Sequence, residues 1–138
     1  MGHHIFVLDN KSLIMHDTDV ALIRHFLAQA ASELNLKVIQ DSILRWSEMG
    51  PGVWFDIDLN ILIGQANVFD QAKVCVNRLE PVISVDYLNS KISDGWQKGI
   101  PCSHIVERLR ELAILVAAAQ HGGPAETTAG ENSPLPPR

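Results

Sequence analysis

The chain has 138 residues, 46% hydrophobic and 20% charged, with a formal net charge of −5. That length suits one domain with a single core, and the acid surplus argues against autonomous binding to a phosphate backbone. The Lys and Arg residues are scattered from Lys11 to Arg138 without a run. No apolar stretch is long enough to span a bilayer, and Met1 to His4 carries no signal-peptide core. Cys75 and Cys102 lie far apart and outside any CxxC pair, which fits a reducing, intracellular setting.

In chain order, Ile5-Phe6-Val7-Leu8 reads as a buried strand closed by a turn at Asp9-Asn10. Asp17-Thr18-Asp19 then offers cap oxygens and negative charge to a helix N-terminus. Behind it Val20, Ile23, Leu27, Ala30, Ala31 and Leu34 recur at helical spacing, and Asn35 is the expected stop. Leu36-Lys37-Val38-Ile39 reads as a second strand. Met49-Gly50-Pro51-Gly52 must turn. Val53 to Leu59 alternates, with Val53, Phe55, Ile57 and Leu59 on one face and Trp54, Asp56 and Asp58 on the other. Ile61-Leu62-Ile63 reads as a further strand ending at Gly64.

A helix is expected over Val68 to Leu79, with Ala72 and Cys75 inward. Val82 to Val85 reads as a strand buried on both faces. A short helix follows to Trp96, ended by Gly95, and Gly99-Ile100-Pro101 breaks the chain. The last helix runs from Cys102 or Ser103 to Ala119, with Ile105, Leu109, Leu112 and Val116 on one stripe. Ile114, Leu115 and the alanines widen its apolar surface. The Gly-, Pro-, Ser- and Thr-rich segment 120–138 holds few apolar groups and reads as a disordered tail or linker of a longer protein.

Strands separated by helices favour a parallel sheet. The expected fold is α/β: a mainly parallel four-stranded sheet flanked by helices over 5–119, with an inserted hairpin and an extra C-terminal helix. The stretch from Ile61-Leu62-Ile63 through Ala72, Cys75 and Pro81-Val82-Ile83-Ser84 to Tyr87-Leu88 resembles the second half of a BRCT domain. Tyr87 stands where that family usually places an anchoring tryptophan. The resemblance implies a non-catalytic protein-interaction module of nuclear DNA-repair or telomere-associated proteins. It makes Tyr87, Ala72 and Cys75 structural anchors. Asp9 and Gln71 stand where phosphopeptide-binding members carry a hydroxyl and a lysine, so the implied binding is independent of phosphate.

Other constellations have ordinary readings. Asp56 and Asp58 share a strand face but lack a third acid in register for a hard metal. His16 and His25 flank the first helix without sharing a face closely. Cys102-Ser103-His104 points its thiol and imidazole different ways. Gly64 to Asn67 resembles an anion-cradling loop with a single glycine. Trp54 is either an exposed interface aromatic or a core residue covered by the last helix. No catalytic residue, cofactor or metal is expected. The candidate interaction residues are Trp54, Ile105, Leu109, Leu112 and Val116. The partner is another protein or a second copy pairing through 103–119, with neither nucleic acid nor membrane engaged. The alternative is a small acidic inhibitor of the immunity type, steered onto a basic toxin or enzyme.

Overall fold

The computed structural model describes residues 3–8, 11–50, 53–119 and 126–129. Its centre is helix α1, Asp17–Glu33, whose Val20, Leu22, Ile23, Phe26, Leu27, Ala28, Ala30 and Ala31 are buried. A helix apolar on so many sides is a core helix with neighbours all round. Its alanines let those neighbours approach closely. Asp17 and Asp19 lie in its first turn, where the helix dipole favours acids. It ends at Asn35, which takes a left-handed φ of 60°. The Leu36 N–H bonds the Ala31 carbonyl at 2.8 Å and the Asn35 N–H bonds that of Ser32 at 3.1 Å. This is a Schellman stop with asparagine at the left-handed position, at the residue expected from sequence.

Strand β1, His3–Leu8, pairs antiparallel with β2, Lys11–His16, from His3 opposite His16 to Leu8 opposite Lys11. The turn expected at Asp9-Asn10 lies outside the described residues. β2 was not foreseen, because its exposed Lys11, Ser12 and Ile14 make it a weak apolar run. On the other edge of β1 lies β7, Glu126–Ala129, also antiparallel. These four residues come from the segment expected as a tail; its other residues lie outside the described set.

The expected strand over Leu36 to Ile39 is instead the start of helix α2, Lys37–Leu44. Val38 is 74% exposed, while Ile39 and Ile43, one helical turn apart, are buried. The β-branched pair Val38-Ile39 suggested a strand, and the burial of one face against α1 overrode that local preference. Strands β3, Ser47–Gly50, and β4, Val53–Phe55, form a hairpin. The alternation expected from Val53 to Leu59 stops at Asp56, whose φ of 61° reverses the order of faces. Trp54 is therefore inside and Phe55 outside, while Ile57 and Leu59 return to the core.

Ile61 to Ile63 is not a strand either: Leu59–Leu62 forms a 3-10 helix capped by Asp58, whose carboxylate accepts the Asn60 N–H at 3.0 Å. Helix α3, Ala66–Asn77, matches its expected place. The strand expected over Val82 to Val85 shrinks to β5, Val82–Ile83, paired antiparallel with β6, Ile100–Pro101. Val82 is 45% exposed, so this strand is not buried on both faces. Ser84 caps α4, Val85–Lys91, by accepting the Tyr87 N–H at 3.1 Å. Helix α5, Cys102–Ala117, closes the core against α3 and α1.

The four-stranded parallel sheet is thus replaced. Among the described residues all three sheets are small and antiparallel, ordered β2-β1-β7, β3-β4 and β5-β6. The domain is a helical core around α1 with hairpins at its margins. Ala72 and Cys75 are buried as expected of anchors, but α3 uses them against helix α1 rather than a sheet. Tyr87 likewise lies parallel to the ring of Phe26 in α1, centroids 6.3 Å apart.

His4 is wholly buried in β1, and neither ring nitrogen has a partner among the described residues. Burial pushes its imidazole down to about 4, opposed in part by Asp17. The folded chain therefore binds fewer protons than the unfolded chain between pH 6.5 and about 4. Stability is full above that window and falls as pH drops through it, by about 3 kcal/mol from this group. His25 adds to the loss in the same direction. Glu33, held at about 2 by hydrogen bonds from Arg78 and Gln71, loses its contribution only below 4.5. Denaturant titrations at pH 7 and pH 4.5 should show a marked drop for the native chain and a smaller one for His4→Leu. Equal drops in both would assign the acid sensitivity elsewhere.

Candidate interaction surface

Helix α5 has two apolar faces. The inner one carries Ile105, Leu109 and Leu112, all with no exposed surface, together with Leu115 and Val116. The stripe expected to be an interaction surface is therefore core, packed toward α1 and α3, with only Val116 reaching the edge of a surface groove. Trp54 is also core, 7% exposed, because the reversal at Asp56 turns it inward.

The outer face of α5 carries Ala113, Ile114 and Ala117, positions that fall on one helical stripe. With Leu62, Phe69 and Val116 they line a groove of about 580 Å³ between the Leu59–Leu62 turn, the start of α3 and the last turns of α5. Ile114 is 63% exposed. The rim carries both signs. Lys73 lies 3.8 Å from Asp70, and Arg110 lies 2.8 Å from Glu107. The φ of 77° at Gly64 turns the chain into α3 beside this groove, a conformation that glycine adopts without strain. Gly64, Gln65 and Ala66 thus serve as groove wall.

The other constellations fall out as follows. Asp56 and Asp58 are exposed, and Asp58 caps the Leu59–Leu62 turn. His16 lies 3.4 Å from Asp17 at the head of α1, whereas His25 bonds the Tyr87 hydroxyl at 2.8 Å on its flank. Gln71 donates to the Glu33 carboxylate at 2.8 Å, so an anion at that place would meet a carboxylate already there. Lys73 belongs to the groove rim. Asp9 lies outside the described residues.

Sequence reading missed the pairing of His104 with Asp19, whose carboxylate oxygens lie 3.0 and 3.1 Å from Nε2. It links the first turns of α5 and α1, positions 85 apart in the chain. Asp19 was read from sequence only as part of the helix start, so nothing in the local pattern pointed to His104. Among the described residues no group of three or more His, Cys, Asp or Glu is placed to hold a metal ion. Nor is any helix long and apolar enough to cross a membrane. No family model matches the chain, and no curated protein or solved structure shows significant similarity to it.

Both cysteines are buried. Burial first and the Glu33 carboxylate second push the Cys75 thiol up to about 11. Burial and Glu80 raise that of Cys102. The thiolate is the reactive form. Both thiols should therefore label slowly with a disulfide reagent in the native protein and fully in denaturant. Fast labelling of the native chain at neutral pH would contradict this placement.

Proposed function

We propose that this domain is a non-catalytic protein-binding module that pairs with a second copy of itself through the outer face of α5. The exposed Ile114 on the lip of an apolar groove carries the reading. In a two-fold arrangement the same patch serves both partners. Ile114 of each copy enters the groove of the other, and the small side chains of Ala113 and Ala117 let the two helices approach closely. The rim is self-complementary, because Arg110 and Lys73 on one copy can face Glu107 and Asp70 on the other. Apart from that rim and Gln65 the lining side chains are aliphatic and aromatic, suited to contact rather than to bond chemistry. One helix face buries less than the ~1,600 Å² of a typical stable complex, so micromolar association is expected. The reading stands on α5 and does not use the BRCT resemblance or the nuclear, telomeric and repair setting that came with it.

A second reading, the acidic inhibitor, is favoured by a different observation. Phe55 is 37% exposed and is followed by the exposed carboxylates of Asp56 and Asp58. An exposed aromatic followed in the chain by two acids is suited to dock on a basic partner.

Sedimentation across the micromolar range separates the two. The native chain should pass from monomer to dimer, and Ile114→Glu should stay monomeric with an unchanged melting midpoint. Leu109→Glu, which buries a charge in the core, should unfold the chain. A native chain that stays monomeric to high micromolar concentration overturns self-pairing and leaves the Phe55 surface as the binding face.

A further inference from the structure

We propose that the cleft where α1, β4 and the end of α4 meet binds a single oxyanion group, a carboxylate or a phosphate. The cleft holds about 150 Å³ and is lined by Arg24, His25, Trp54, Lys91, Ile92 and Ser93. That is room for one such group and a few waters. Its walls are rich in donors.

The Arg24 guanidinium is held in place before any ligand arrives. Its Nε donates to the Trp46 carbonyl at 2.8 Å and its Nη2 to that of Leu44 at 2.7 Å. A guanidinium fixed in this way loses little freedom on binding, and its remaining hydrogens suit an oxyanion. Lys91, in the last turn of α4, adds a mobile ammonium, and Ser93 a hydroxyl. Trp54 is 7% exposed, and its indole N–H is buried with no acceptor among the described residues. A buried donor left without an acceptor costs stability, which an incoming oxyanion can offset.

The charge of the cleft runs against that of the molecule. The chain carries a net −5, yet two cations share this small space. His25 senses them. Burial foremost, then Lys91 and Arg24, hold its imidazole below its ordinary value. Its Nε2 lies 2.8 Å from the Tyr87 hydroxyl. Charge-assisted hydrogen bonds from Arg and Lys are the strong kind for carboxylate and phosphate.

The test is titration of the folded, full-length chain followed by the indole N–H resonances. Trp54 is identified by the peak missing from Trp54→Phe. Inorganic phosphate, acetate and chloride are added in separate arms at a constant ionic strength of about 0.15 M. The Trp54 resonance should move saturably with phosphate or acetate, at a dissociation constant of about 1 mM or tighter, and not with chloride. Saturation by phosphate alone assigns a phosphate site, and saturation by acetate assigns a carboxylate site. Lys91→Ala, at an exposed position, should weaken binding at least tenfold, the effect of losing about 1.4 kcal/mol. Lys37→Ala, far along the chain on α2, should leave it unchanged. A shift that never saturates, that chloride reproduces, or that persists undiminished in Lys91→Ala overturns the proposal.

Discussion

Helix α1 is enclosed by the other elements, and four of its polar side chains find partners on them. Asp19 pairs with His104 of α5. Arg24 holds the carbonyls at the end of α2. His25 bonds Tyr87 of α4, and Glu33 gathers Arg78, Gln71 and the Cys75 thiol from α3 and its C-terminal end. Each surrounding helix is thus tied to the central one by its own polar contact. Apolar burial between helices is non-directional and tolerates rotation or sliding. A hydrogen bond between named groups does not, so these four contacts fix which face each helix turns inward. Their net strength is modest, and their value lies in direction.

That arrangement explains what was legible in the sequence and what was not. The buried positions of α1 and α3 recur at helical spacing over three or more turns, and their existence followed from the pattern. Asn35 was legible as a stop because few residue types accept a left-handed backbone. Short apolar runs carried no such information. Val38-Ile39, Ile61 to Ile63 and Val82 to Val85 all looked like strands. They became a helix, a 3-10 turn and a two-residue edge. In each case the neighbours decided, and a run of three or four residues cannot encode its neighbours. The parallel sheet was an inference stacked on those three runs, and it fell with them.

The polar contacts were illegible for a simpler reason. Asp19 and His104 are separated by 85 positions, and His25 and Tyr87 by 62. No local pattern marks such pairs. Trp54 shows how one backbone angle matters more than a pattern. Alternation placed it opposite Ile57 and Leu59, but the left-handed Asp56 lets all three point into the same core. Periodicity found the apolar stripe of α5 and could not say whether core or partner covers it. The presence of Ile114 outside that stripe was the more informative signal, since a helix with one buried face has no structural need for an isoleucine on the other.

The groove and the cleft are placed so that either can act without disturbing the frame. Ile114 and Lys91 are both exposed and outside the core. Arg24 is different: it belongs both to the frame and to the cleft. An anion bound beside it would act on a group that already holds the end of α2, and α2 leads directly into the hairpin that carries Phe55 and Trp54. Occupation of the cleft would therefore tighten the link between α1 and the β3-β4 hairpin. The groove of α5 lies on other elements, the Leu59–Leu62 turn and α3, and shares no lining residue with the cleft. The two are joined along the chain, since β4 with Trp54 leads through residues 56–58 into the Leu59–Leu62 turn of the groove. Close-packed interiors transmit strain, so a change at the cleft has a short route to the groove.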